Sequence, residues 1–398
     1  VRIPRYRYDT TEETHRTTNF EIFFDLVFVF ALTRIVEFMA ETPSAVTMLR
    51  GLILILLLWF SWSAYAWLGN EARADVGLIR TGTLTAMAAL FVAALAISDA
   101  WRQEESPLPA PLLLAAAYLA VRVLHLTLYL YVSRSPQLTR TLRLSAIPLA
   151  LAALPLVAGA LVGGTVQTML WAVAFLVDVG GGRIASGYSP WELRSVSHFT
   201  ERHRLVIIIA IGESLISIGL GAGAELASWW VLLAALLGFV VTVCLWRLYF
   251  DRFARAIEHV MATAPRMRRG TIASDAFSLA HLPMIAGIMY LALGIEQVLA
   301  ILMHHGTVDQ LGLPSIVALY GGGALYLVGR GLCLRLTAGI TALPPVVGAV
   351  VLLLLIAPAR LLPALSALAL LAVALVVQCA VERRYGELAA PLAAEPAR

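Results

Sequence analysis

Apolar runs about twenty residues long follow one another along almost the whole chain, and very few folds can absorb them. A helix crosses the hydrocarbon of a bilayer with roughly 20 apolar residues. Runs of that length lie near 18–38, 45–68, 77–100, 109–132, 144–163 and 165–179, and again near 204–222, 227–250, 275–303, 313–333, 335–356 and 360–380. The reading is an all-α polytopic membrane bundle of about twelve transmembrane helices. Composition agrees, with 60% hydrophobic and 14% charged residues, where soluble domains are about half apolar and a quarter charged. The surplus apolar surface calls for a lipid bilayer as partner.

Arginine placement orients the spans. The chain has no lysine, a mark of a GC-rich bacterial genome, so arginine carries the whole basic signal. With the N-terminus inside, the cytoplasmic stretches collect Arg2, Arg5, Arg7 and Arg16, then Arg134, Arg140 and Arg143. Arg183, Arg194, Arg202 and Arg204 follow, then the run from Arg252 to Arg269, then Arg383 and Arg384. Only Arg102 and Arg360 fall outside. That asymmetry predicts both termini in the cytoplasm and a location in the bacterial inner membrane. The net charge of +4 is too small to suggest nucleic acid. Cys244, Cys333 and Cys379 sit in apolar runs without metal spacing, and no disulfide is expected.

Polar landmarks recur in order. Asp25 and Glu213 lie at similar depth in the first and seventh spans. Trp62-Ser-Ala-Tyr65 matches Trp246-Arg-Leu-Tyr249, Asp75 with Arg80 matches Asp275 with His281, and Tyr118-Leu-Ala-Val-Arg122 matches Tyr326-Leu-Val-Gly-Arg330. The order predicts a six-plus-six parallel repeat, a plan known among transporters. The organisation is then an N-terminal cytoplasmic segment 1–17, a first repeat 18–180, a linker 181–203, a second repeat 204–380 and a disordered cytoplasmic tail 381–398.

The stretch Asn19-Phe-Glu-Ile-Phe-Phe-Asp-Leu-Val-Phe-Val-Phe-Ala-Leu32 resembles the opening signature of the bacterial low temperature requirement protein A family. His198-Phe-Thr-Glu-Arg202 with Ile208-Ile-Ala-Ile-Gly-Glu-Ser214 is similar to that family's second signature, and Trp67-Leu-Gly-Asn70 with Asp75 and Arg80 fits its pattern. The resemblance covers most of the chain and implies a multi-span bacterial membrane protein. It implies no particular substrate or reaction.

Ionisable groups inside a span cost about 2.5–3.5 kcal/mol each at the centre, so they mark functional positions by default. Glu21 and Asp25 share a helix face. Glu21 also reads as the acid of a Thr18-x-x-Glu21 capping box. Asp25 lies deeper and has no local cap to make. Asp25 and Glu213 are expected to meet in one cluster, with Arg122, Arg330 and His281 as partners and Tyr118 and Tyr326 nearby. The bland alternative is static ion pairs between helices. His198, Glu201 and His203 lack the i, i+4 histidine pair of a zinc helix, so no metal is expected. Arg34 and Glu37 read as a local pair, and Trp59, Trp62, Tyr65 and Trp67 as an interfacial belt. His304-His305 reads as a solvated loop, and Gly180-Gly-Gly182 as a loop. No dinucleotide or phosphate-loop fingerprint appears in context, and no cofactor is expected.

Three functions fit these residues. The first is a secondary transporter of a small molecule, coupled to protons through the carboxylates. The second is a membrane-embedded enzyme doing acid–base chemistry on a lipid-soluble substrate. The third is a structural protein whose buried pairs only hold the bundle together.

Overall fold

A computed structural model describes residues 11–13, 15–102, 107–133, 135–186, 192–222, 228–304 and 307–392. Arg2, Arg5, Arg7, Arg134, His305 and the end of the tail, 393–398, lie outside the described residues. The described chain is helical, with no strand. The helices are α1 (Asn19–Glu41), α2 (Ala45–Glu71), α3 (Gly77–Ala96), α4 (Ala110–Val132), α5 (Pro136–Val162), α6 (Gly164–Ser186), α7 (Val196–Ala222) and α8 (Trp229–Phe250). They continue as α9 (Phe253–Thr263), α10 (Arg266–Ile272), α11 (His281–His304), α12 (Leu313–Ile316), α13 (Gly322–Ala338), α14 (Leu343–Ala359) and α15 (Ala364–Leu392). Seven-residue and five-residue π-helical stretches, Ala273–Leu279 and Val317–Gly321, join α10 to α11 and α12 to α13.

Among the described residues, nine helical stretches are long and apolar enough to cross a membrane. That is fewer than twelve for physical reasons. α14 is apolar but only 17 residues long. Helices α1 and α7 are long enough but carry the charged signatures, which lower their apolarity. Large apolar side chains face outward on many helices, among them Leu154 on α5, Phe239 on α8, Leu354 on α14 and Val373 on α15. Such a surface needs an apolar partner.

Local signals set several boundaries away from the hydropathy edges. Ser135 caps α5, its hydroxyl accepting from Leu138 N at 3.0 Å, and Pro136 takes the first turn. The helix therefore begins before the apolar run and carries Arg140 and Arg143, which hydropathy alone places in a loop. Between α5 and α6 the chain reverses at Gly163 and Gly164, both at positive φ, as the paired glycines lead one to expect. The Gly180–Gly182 triplet is not a loop: it lies within α6, where Gly181 packs on Pro148. Likewise α13 runs past Leu334 to Ala338 and stops at Gly339, which is left-handed.

The chain forms two compact units. One comprises Val1–Glu41, Val46–Val206 and Met261–Ser274; the other comprises Thr42–Ala45, Ile207–Val260 and Asp275–Arg398. The core of the first is aromatic. Trp59 and Trp62 are wholly buried and stacked at 5.0 Å, and Trp67 is against Phe199 at 4.8 Å. The expected interfacial belt on α2 is thus an interior feature, because these rings fall on the face that packs inward. The core of the second unit is the crossing of α11 with α13. A Cβ on Gly287 would lie 2.5 Å from the Gly322 carbonyl oxygen, and one on Gly322 would lie 2.7 Å from the Gly287 oxygen. Only hydrogens fit there, so the two backbones touch.

Gly287→Val should therefore lower stability by about 1–3 kcal/mol through overpacking. Gly180→Ala, with open space at its Cβ, should leave stability nearly unchanged. Thermal melts of the two variants in detergent check the contrast.

Candidate functional site

The first unit buries two carboxylates, an arginine and a histidine in one hydrogen-bonded network. It begins with spacing. Glu21 and Asp25 are four apart on α1, and His198 and Arg202 are four apart on α7, so each pair shares a helix face. The two faces meet. Arg202 Nη1 donates to Glu21 Oε1 at 3.0 Å, and its Nη2 donates to Asp25 Oδ1 at 2.6 Å. The Trp62 indole N–H donates to the same Asp25 oxygen at 2.7 Å, and the Arg202 guanidinium lies 5.7 Å from the Trp62 ring centroid. Asp25 is 0% exposed and Arg202 2%.

His198 has one assignable tautomer. Asn70 Oδ1 accepts from the backbone N–H groups of Arg194 at 2.9 Å and Ser195 at 3.4 Å, which fixes the amide orientation. The Asn70 amide N–H group then faces the Ser195 carbonyl at 2.7 Å and His198 Nδ1 at 3.4 Å. With Nδ1 facing a donor, the ring proton belongs on Nε2, which donates to Glu21 Oε1 at 2.8 Å.

Glu21 serves two structures at once. Its Oε2 accepts from the Thr18 backbone N–H and hydroxyl, both at 3.0 Å, while Glu21 N donates to Thr18 Oγ1 at 3.3 Å. This is the capping box expected from sequence. Its Oε1 belongs to the buried network. Gly69 makes room for it: a Cβ there would sit 2.5 Å from Oε1.

The residues before α1 cover this end. Thr11 Oγ1 donates to the Gly69 carbonyl at 2.9 Å, Ser195 Oγ to Glu13 O at 2.9 Å, and Thr17 N to Glu201 Oε2 at 3.0 Å. His15 lies over His198 with ring centroids 5.3 Å apart. Burial, above all, holds the His15 imidazole below its ordinary pKa. One ligand atom each from His15, Glu21 and His198 fall within 4.8 Å of one another. Glu21 Oε1 already receives Arg202 and His198, and a cation there would face the Arg202 charge, which works against metal binding. Asp75 pairs with Arg73 at 2.8 Å, and those hydrogen bonds hold its carboxyl below the usual range.

Other expected site residues find other partners. Arg122 is held by Asp178 on α6, not by Asp25: its Nε and Nη2 donate to the two Asp178 oxygens at 2.9 and 2.8 Å, and Tyr118 OH donates to Asp178 at 2.7 Å. In the second unit Arg330 donates bidentately to Glu382 on α15 at 2.7 and 2.8 Å. Tyr326 OH donates to the Leu245 carbonyl at 2.8 Å. His281 Nε2 lies 2.9 Å from Tyr249 OH. Glu213 is buried in the part of α7 that belongs to the second unit, whereas Asp25 belongs to the first. Arg34 and Glu37 form the local pair expected of them.

The residues that sequence reasoning missed are Arg202, His198, Trp62, Asn70, Asp178 and Glu382. Arg202 reads as a loop arginine because His198, Glu201 and His203 surround it, yet α7 begins at Val196. A signal was present: a His198/Arg202 pair at i, i+4 is the complement of a Glu21/Asp25 pair at the same spacing.

An all-helical protein of membrane-spanning character, built around a buried carboxylate–arginine–histidine network, is the class that fold and site define. The family model of the bacterial low temperature requirement A protein matches residues 16–380, and the chain belongs to that family. An uncharacterized protein of Rhizobium meliloti (strain 1021) is 29% identical over 336 residues, covering 81% of this chain and 78% of the relative. No solved structure matches the chain.

Removing one partner of a buried pair leaves an uncompensated charge and costs about 3–5 kcal/mol. Arg202→Met should destabilise by that order, and adding Asp25→Asn should recover part of the loss. A Gly69→Ala variant should also destabilise, by displacing Glu21. Detergent melting curves compare the set; an Arg202→Met protein as stable as wild type would contradict the network.

Proposed function

We propose that this protein is a secondary carrier of the bacterial inner membrane, in which the Glu21–Asp25–His198–Arg202 network binds and releases the coupling proton. The carrying observation is the charge count. Two carboxylates face one guanidinium and a histidine that we take as neutral, all within a site at most 3% exposed. Such a site carries one negative charge too many unless it takes up a proton, and burial makes that imbalance costly. Asp25 Oδ2 is buried without a hydrogen bond among the described residues, whereas both Glu21 oxygens are fully engaged. The proton therefore belongs on Asp25.

Room at the site favours a proton over an organic reactant. A cavity of about 10 Å³ lies beside Glu21, Tyr65, Thr83 and Arg202, space for about one water molecule. Acid–base chemistry on a lipid-soluble substrate would need far more. The substrate of the carrier is a small molecule.

The six-plus-six reading has support of the same physical kind. In each unit a Tyr-Leu-x-x-Arg arginine makes a bidentate pair with a carboxylate in the C-terminal half of the sixth long helix of its set: Arg122 with Asp178, and Arg330 with Glu382. Parallel repeats of this kind fit a carrier. The arginine distribution supports cytoplasmic termini.

Two measurements test the proposal. Infrared difference spectra of the purified protein should contain a protonated-carboxyl band at neutral pH that Asp25→Asn removes. Everted vesicles holding a proton gradient should lose it on addition of a transported compound from a small-molecule pool, and vesicles with Asp25→Asn should not. Substrate turnover in detergent without a gradient, or equal gradient loss in both vesicles, would overturn the carrier reading.

A further inference from the structure

Near its N-terminus α5 carries two arginines, Arg140 and Arg143, one turn apart and both exposed. Among the described residues neither makes an ion pair or a side-chain hydrogen bond. Composition is the reason. From Pro107 to Ser186, which takes in α4, α5 and α6, the chain has one acidic residue, Asp178. Arg122 and Tyr118 already occupy both of its oxygens. Because α5 packs against α4 and α6, neither neighbour brings it a second carboxylate.

A hollow of about 390 Å³ opens beside the pair, and its described lining is Pro136, Thr139, Arg140, Arg143 and Leu144. The Thr139 hydroxyl donates to the Ser135 carbonyl at 3.0 Å, so the two guanidinium groups are the donors left to the hollow. Guanidinium groups without a carboxylate call for an anion, and phosphate oxygens suit their forked donors.

The same helix face continues as an apolar stripe. Arg140, Leu144, Ile147, Leu151 and Leu154 follow one another at alternating steps of four and three, which keeps them on one side of a helix. Ile147 is 56% exposed, Leu151 54% and Leu154 69%. From Leu144 to Leu154 the helix axis covers roughly 15 Å, at about 1.5 Å per residue. That is half of a hydrocarbon core about 30 Å thick, the depth of one leaflet.

A soluble phosphate would use the hollow alone. A hollow with two uncompensated arginines, continued by an apolar stripe of acyl-chain length, fits a molecule with both parts. We propose that this face of α5 binds an anionic phospholipid, its phosphate against Arg140 and Arg143 and one acyl chain along Ile147, Leu151 and Leu154. The site uses no residue of the proton network and does not depend on the carrier reading.

Native mass spectrometry of the delipidated full chain, titrated with phosphatidylglycerol, phosphatidylcholine or glycerol 1-phosphate, provides the test. Wild type should retain phosphatidylglycerol over phosphatidylcholine by about twentyfold. Arg140→Gln and Arg143→Gln should each lower that preference about fivefold, and the double variant should abolish it. Both side chains are exposed, so these variants should fold as wild type does. Arg360→Gln, which removes an exposed arginine at the end of α14, should leave the preference unchanged. Equal retention of the two lipids by wild type overturns the proposal. So does an unchanged preference in the double variant, a loss as large in Arg360→Gln, or binding of glycerol 1-phosphate as tight as that of the lipid.

Discussion

Everything in the first unit is arranged around one unfavourable act, the burial of the Arg202 guanidinium. Taking a charge from water into a protein interior costs several kcal/mol, and only close opposite charge with good hydrogen bonds offsets it. Glu21 and Asp25 supply that charge from consecutive turns of α1. Trp62 supplies a donor to Asp25 and an aromatic surface near the guanidinium. Each of these demands further order. Glu21 must be capped by Thr18, Gly69 must lack a side chain, and Asn70 must hold the first turn of α7 in register. The covering segment from Thr11 to Thr18 then follows, since its hydrogen bonds end on the residues that flank the network.

The same logic explains why the second unit is built differently. Its α11–α13 crossing buries glycine against glycine and needs no charge to hold it. Close backbone contact replaces ionic attraction there, and a buried ion pair, Arg330 with Glu382, joins α13 to α15. A static pair and a proton site thus differ in charge count. Arg330 and Glu382, like Arg122 and Asp178, balance one to one. On the proposed carrier reading the Arg202 network does not balance, and that is what sets it apart from scaffolding.

How much of this could be read in advance follows from the range of each interaction. The apolar runs, the Gly163-Gly164 break, the Thr18–Glu21 cap and the Arg34–Glu37 pair are local, and periodicity or spacing reveals them. The partner of a buried charge lies far away in sequence: 177 residues separate Asp25 from Arg202, and 56 separate Arg122 from Asp178. The seventh apolar run begins only near 204, so Arg202 falls in the linker and among the arginines that oriented the spans. Aromatic residues on α2 suffered the opposite error. An interfacial ring and a core ring look alike in sequence, and only the face toward which the helix packs distinguishes them.

Matched spacing is the clue that survives these limits. An acid pair at i, i+4 in one signature and a His/Arg pair at i, i+4 in the other present complementary faces 5–6 Å across. Two helices so marked have one low-energy way to meet if neither face can reach water. Within the chain this singles out α1 with the first turns of α7, and it predicts contact without any knowledge of fold. The Tyr-Leu-x-x-Arg motif offers no such match, because Asp178 is a single carboxylate in an apolar run and Glu382 lies just past the last run, beside Arg383 and Arg384. Paired charges therefore announce their partners in a membrane sequence, and solitary ones do not.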